Sequence, residues 1–284
     1  MSRAFLALLL VSKAVSAQEA TRFDSYPHWS PDGEWIVFAS DRSGDTELYL
    51  IRPDGSDLQR ITDSPGVDSH PAWSPDGTSI AFDSHRTEDR EIYVLDVATR
   101  EVRRITTSPG WDGTPFWGPA GDRLYFYSER DGNAEIYRWT AHDGAETRLT
   151  HTGGNEYYAS PAPDGARLVL ESEAGDDRDI HLLDVATGER SVLAADPGRD
   201  HLPAWSPDGG RIIFSTRRDG NDEVYLMGAD GSTPRNLTRD PRADVMAKWS
   251  PDGTEIVFVS NRTGGFRLYL MTASGSDVRP LEGS

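Results

Sequence analysis

One 44-residue unit repeats six times along this 284-residue chain, without insertion or deletion between copies. Its marker is a turn proline at Pro31, Pro75, Pro119, Pro163, Pro207 and Pro251. Four copies read Trp-Ser-Pro-Asp-Gly, as at Trp29 to Gly33. The third reads Trp117-Gly118-Pro119-Ala120-Gly121, and the fourth has Pro161 in place of the tryptophan. A fixed period of this length means that one supersecondary unit stacks on copies of itself. Six units leave 20 residues for anything else, so the sequence predicts a single repeat domain over 18–284 whose surface carries the function.

The residues outside the repeats resemble an export signal. Met1-Ser2-Arg3 is basic, Ala4 to Val11 is an apolar run, and Val15-Ser16-Ala17 has the small residues of a cleavage site. That pattern predicts a signal peptide over 1–17, too short to cross a bilayer as a helix, and a periplasmic, soluble product. There is no cysteine, which removes disulfides, zinc–thiolate sites and thiol nucleophiles. Forty-seven acids against 29 bases give a net charge of −18. Nucleic-acid binders need a basic face to displace counterions, so that class is excluded, and anionic membrane surfaces are disfavoured. Cations and basic partners remain compatible.

Within a repeat, short apolar strands alternate with turns. The run after the Pro-Asp-Gly turn is apolar at adjacent positions, as in Ile36-Val37-Phe38 or Ile212-Ile213-Phe214, so both strand faces must be covered. A third strand such as Leu48-Tyr49-Leu50 and a fourth such as Arg60-Ile61-Thr62 complete the unit. No segment has sustained helical periodicity. The expectation is an all-β, six-bladed β-propeller with four antiparallel strands per blade. The tryptophan reads as a wedge between blades, and the turn aspartates read as turn formers. Each blade holds its strands in sequence order, which predicts closure without exchange of a strand between the chain ends.

The Trp-Ser-Pro-Asp-Gly turn, Ile-x-Phe strand, Ser-x-Arg loop, acid-Ile-Tyr strand and Leu-Thr ending together resemble the TolB-type β-propeller repeat, over roughly residues 24–282. The resemblance implies a periplasmic propeller that binds a protein of the cell envelope. TolB itself works in the Tol–Pal system and carries a further N-terminal α/β domain, for which these 20 extra residues leave no room.

Seven residues before each turn proline stands an acid: Asp24, Asp68, Asp112, Glu156, Asp200 and Asp244. Strand order places all six on one face, around the axis. Eleven residues after the proline stand Arg42, Arg86, Arg130, Arg218 and Arg262. Two readings follow: an acid–arginine ladder, or a ring that grips a basic segment or a cation. The fourth repeat has Ala174 at the arginine position, which predicts an unpartnered Glu156. With Asp176 in its acidic loop, that sector is either a docking site or a divergent copy. His70 and His201, with His28, raise a divalent metal at the channel mouth as an alternative. No nucleophile elbow, zinc-protease helix or phosphate loop is present. The leading expectation is a non-catalytic, monomeric, protein-binding propeller without cofactor, inserted in no membrane. The alternative is a metal-dependent enzyme of lyase or lactonase type.

Overall fold

The computed structural model describes residues 22–284 apart from 176 and 197. The expected signal segment and Asp176 lie outside the described residues. The chain forms six four-stranded antiparallel sheets, each from one repeat and each in sequence order. In the first blade these are β1 (Asp24–Trp29), β2 (Ile36–Ser40), β3 (Glu47–Ile51) and β4 (Gln59–Arg60). No helix occurs among the described residues, and none there is long and apolar enough to cross a membrane.

The second strands are buried on both faces, as their unbroken apolar runs require; Phe38, Phe82, Phe126, Phe214 and Phe258 are fully enclosed. The tryptophans close the gaps between blades. Trp29 packs with Val245, Val257 and Val259 of the last blade, and Trp73 with Val37, Ala39 and Leu48 of the first. Between the third and fourth blades the wedge is missing, and the preceding blade has changed to compensate. Tyr125 and Tyr127 stand where the first blade has Val37 and Ala39, and both are buried in that interface. Tyr125, which reaches towards the turn at Gly118, enlarges the packing where the indole is lost, while Tyr127 stands over Gly113 and meets Tyr157 edge-on at 5.1 Å.

The Ser-Pro-Asp-Gly turns behave as predicted. Asp32 Oδ1 accepts from the Glu34 amide at 2.9 Å and from Ser30 Oγ at 2.5 Å. Gly33, at φ +73°, is required by its left-handed backbone; space is not the constraint, since a Cβ there would make ordinary contact at 3.5 Å with Cγ of Pro251 in the neighbouring blade.

Among the described residues the ring closes without an exchanged strand. The Asp24 amide donates to the Phe266 carbonyl at 3.0 Å, the same inter-blade bond that Asp68 makes to Thr46 at 2.9 Å. Leu281 packs into the cluster shared by first and last blades, and Arg42 Nη1 holds the Gly283 carbonyl at 3.0 Å.

Each inner strand carries a bulge at one repeat position: Tyr26, His70, Thr114, Tyr158, Leu202 and Met246 all have φ between 50° and 59°. A left-handed residue is uncommon outside glycine. Six copies in register show that the fold imposes it, and the bulge turns the following residues relative to strict alternation.

Candidate functional site

The two ends of the central channel differ in chemistry. At the end where β1 begins, all six ladder acids are buried, five with no exposure and Glu156 at 1%. Each arginine of the ladder binds the acid of its own blade, with Arg42–Asp24 at 2.8 Å, Arg86–Asp68 at 2.9 Å, Arg130–Asp112 at 3.0 Å, Arg218–Asp200 at 3.1 Å and Arg262–Asp244 at 2.9 Å. The same guanidinium bonds a hydroxyl at the end of the second strand, as Arg42 Nε does Ser40 Oγ at 2.8 Å. It also lies over two rings, Phe38 at 5.0 Å and Tyr49 at 4.9 Å, a further attraction in a desolvated setting. Burial raises Asp112 to about 6 and pushes Asp244 up, while their arginines pull the other way.

The fourth blade is rewired rather than left bare. Glu156 does have a partner: Arg190, from the outer strand of the same blade, reaches both carboxylate oxygens at 2.9 and 3.0 Å. The expectation of an uncompensated Glu156 is therefore corrected. Arg190 sits sixteen positions beyond the vacant ladder site at Ala174, outside the repeat's own spacing. Ring stacking disappears with the ladder arginine, because Leu170 and His181 replace the phenylalanine and tyrosine.

A second set of buried acids escaped the sequence reading. Glu47, which opens β3, pairs with Arg60 at 2.7 Å and accepts from Thr62 Oγ1 at 2.5 Å; Thr62 Oγ1 in turn receives the Leu48 amide at 2.9 Å. Glu91 with Arg104 and Glu135 with Arg148 repeat the arrangement. The constant 13-residue separation of acid and arginine was the signal that pointed to it.

The histidines do not assemble. His70 Nδ1 meets Asp83 at 2.7 Å, and its ring centroid lies 3.8 Å from that of Tyr26. His201 Nε2 bonds Asp222 at 3.1 Å. That contact and Arg217 hold Asp222 down to about 2, against the upward pull of burial. His28 is lowered to about 4 by burial and by Lys248. Among the described residues no group of three or more His, Asp or Glu side chains is placed to hold a metal ion.

The same face does present apolar side chains. Immediately before the ladder acid stand Phe23, Val67 and Trp111, from three successive blades, exposed at 39%, 41% and 45%. Their carbonyls accept from Asp41, His85 and Glu129, which fixes all three where the inter-blade loop meets the loop after the second strand. In the remaining blades the position holds Asn155, Arg199 and Ala243.

Midway along the axis the channel is nearly closed, with a space of about 10 Å³ among Tyr26, His70, Thr114, Phe116, Tyr158 and Lys248. At the opposite end, ringed by the Pro-Asp-Gly turns, it widens into a cavity of about 340 Å³ walled by tryptophans and prolines. Of the residues that sequence reading singled out as candidate ligands, His28 lies in this wall.

Three segments of the chain, 10–89, 63–180 and 172–283, match the TolB β-propeller domain model. This chain belongs to the TolB β-propeller family. It is similar to TolB from Acinetobacter baumannii, at 29% identity and a TM-score of 0.70 over 75% of this chain, although the match spans only 53% of that protein. A candidate TolB from Agrobacterium tumefaciens aligns at 23% identity and a TM-score of 0.76, over 83% of this chain and 87% of its own. Oligogalacturonate lyase from Vibrio parahaemolyticus aligns at 16% identity and 0.64, over 92% and 78%, a likeness of fold alone. Curated relatives match over short stretches. An uncharacterised protein of Agrobacterium fabrum is 53% identical over 13% of both chains. An uncharacterised peptidase of Bacillus subtilis is 45% identical over 14% of this chain and 6% of its own length.

Proposed function

We propose that this protein is a non-catalytic binding propeller of the bacterial periplasm that holds a protein partner of the cell envelope on its loop face. The observation that carries this reading is the arc of Phe23, Val67 and Trp111, large apolar side chains displayed at one repeat position on three neighbouring blades. Aromatic and apolar anchors of this kind dominate protein interfaces. Trp111 is framed for the purpose: Arg90 lies over its ring at 5.2 Å and His85 meets it edge-on at 5.7 Å. The ladder acids give a basic segment nothing to grip, since they are buried and spent on their own arginines. Docking in this reading centres on blades one to three. Membership of the TolB family supports the binding role and the compartment. The metal-dependent lyase or lactonase alternative has only the likeness of fold behind it.

The test is capture from cell-envelope extract by the wild-type protein and by a Phe23→Ser, Val67→Ser, Trp111→Ser variant. The reading expects a partner held by the first and lost by the second, with the unfolding midpoint unchanged. Capture that survives the triple substitution would sink it.

A further inference from the structure

The cavity at the Pro-Asp-Gly end holds one feature that nothing in the repeat explains. Two residues beyond each bulge the side chains are His28, Ala72, Phe116, Ser160, Ala204 and Lys248. Lys248 is 7% exposed, and its ammonium nitrogen has no hydrogen-bond partner among the described residues. It reaches across the axis to lie 4.7 Å from the Phe116 ring and 4.8 Å from the Tyr158 ring. Two ring faces offset part of the lost hydration but cannot replace three donors' worth of hydrogen bonds. An unpaired buried ammonium is costly and needs a reason.

The surroundings say what would pair with it. Among the described residues the cavity wall contains no Asp or Glu, in a protein with 47 of them. The carboxylate that acts on Lys248 is that of Glu171, already bound by Arg178 at 3.2 Å and by the Leu202 amide at 2.7 Å. His28, the other titratable group in the wall, is held neutral by burial and by Lys248 itself. The indole nitrogens of Trp29, Trp73, Trp117, Trp205 and Trp249, whose side chains help wall the cavity, likewise lack partners among the described residues. The site therefore has one positive charge at its floor and walls of indole and pyrrolidine, the indole nitrogens being themselves buried.

We propose that this cavity binds a small monocarboxylate with an aromatic or aliphatic body, its carboxylate on the Lys248 ammonium and its body among the tryptophans and prolines. A single ammonium balances a single negative charge. A phosphate dianion would find too few charged donors, and a cation would be repelled. A volume of about 340 Å³ lies at the small end of ligand pockets. The nearly closed channel beneath it sets the depth to which the carboxylate can go.

The probe is 3-phenylpropionate, added to the full protein while tryptophan fluorescence and calorimetric heat are followed. Its neutral amide and 3-phenylpropylamine serve as matched controls. Binding of the acid at least tenfold tighter than the amide, no binding of the amine, and at least tenfold weakening by Lys248→Met support the proposal. Lys248→Arg, which keeps the charge, should bind within a few-fold of wild type and guards against a folding defect in the methionine variant. Equal affinity for acid and amide, an undiminished Lys248→Met, or no binding of the acid to the wild type would each overturn it.

Discussion

The two ends of the channel treat buried charge in opposite ways. At the loop end every buried ladder acid meets a guanidinium, a hydroxyl or both, and the motif is stamped six times with one rewired copy. At the Pro-Asp-Gly end a lysine is buried against ring faces, with no hydrogen-bond partner among the described residues. Repetition marks the first as architecture: charge is buried because its partner comes with the same repeat. Singularity marks the second as a cost the fold did not need, which is where a ligand is worth seeking.

Breaking a matched pair should have the largest effect. Arg218→Met strands Asp200, which has no exposure, and should destabilise the protein by about 3–5 kcal/mol at pH 7 in urea unfolding. If the loss is below about 1 kcal/mol, the ladder is ornament and the contrast between the ends fails. Arg190→Met tests the rewired copy, with an expected loss of about 2–4 kcal/mol at neutral pH. Burial already raises the Glu156 carboxyl above its ordinary value while Arg190 opposes it. Without Arg190 the folded state holds that proton more tightly still. The loss should therefore be absent through the ordinary glutamate range and grow as pH rises above it, past the wild type's own raised value. A pH-independent loss would show that Arg190 acts by packing.

The unmatched end predicts the opposite sign. Burial lowers Lys248 to about 7 from 10.5, so below pH 7 the folded state carries the full cost of the enclosed charge. Between pH 7 and 10.5 the unfolded chain binds the proton and the folded chain does not, and stability rises with pH. Lys248→Met should therefore stabilise the protein on the order of 1–4 kcal/mol at pH 6, with the gain fading as pH climbs from 7 towards 10.5. Thermal unfolding of both proteins across that range checks it. A destabilised variant at pH 6 would mean that the ring contacts outweigh the lost hydration.

What could be read from the sequence follows the same division. Much of what repeats was legible: the strand count, the tryptophan wedge, the turn aspartates, and the acid and arginine 18 residues apart, though the glutamate and arginine 13 residues apart were passed over. Compensation was not, because it falls at offsets the repeat does not share. Arg190 answers for Ala174, and Tyr125 answers for the missing tryptophan, each from a position that carries something else in most blades. Lys248 was hidden by the backbone. Strict alternation cannot tell which side of an inner strand faces the axis when a left-handed residue two positions earlier shifts the register.

The smallest effect on stability belongs to the exposed arc on the loop face. Trp111 is 45% exposed, and its contacts with His85 and Arg90 lie at the surface. Trp111→Ser should leave the unfolding free energy within about 0.5 kcal/mol of wild type, as for surface positions generally, while weakening partner capture by tenfold or more. The same change at Trp73, which is 6% exposed and wedged between the first and second blades, should cost several kilocalories per mole through the cavity it leaves. Two tryptophans of one chain would then separate cleanly, one indispensable to the ring and the other to what the ring binds. Equal losses of stability at the two sites would show that the arc is part of the fold and leave the loop face without its anchor.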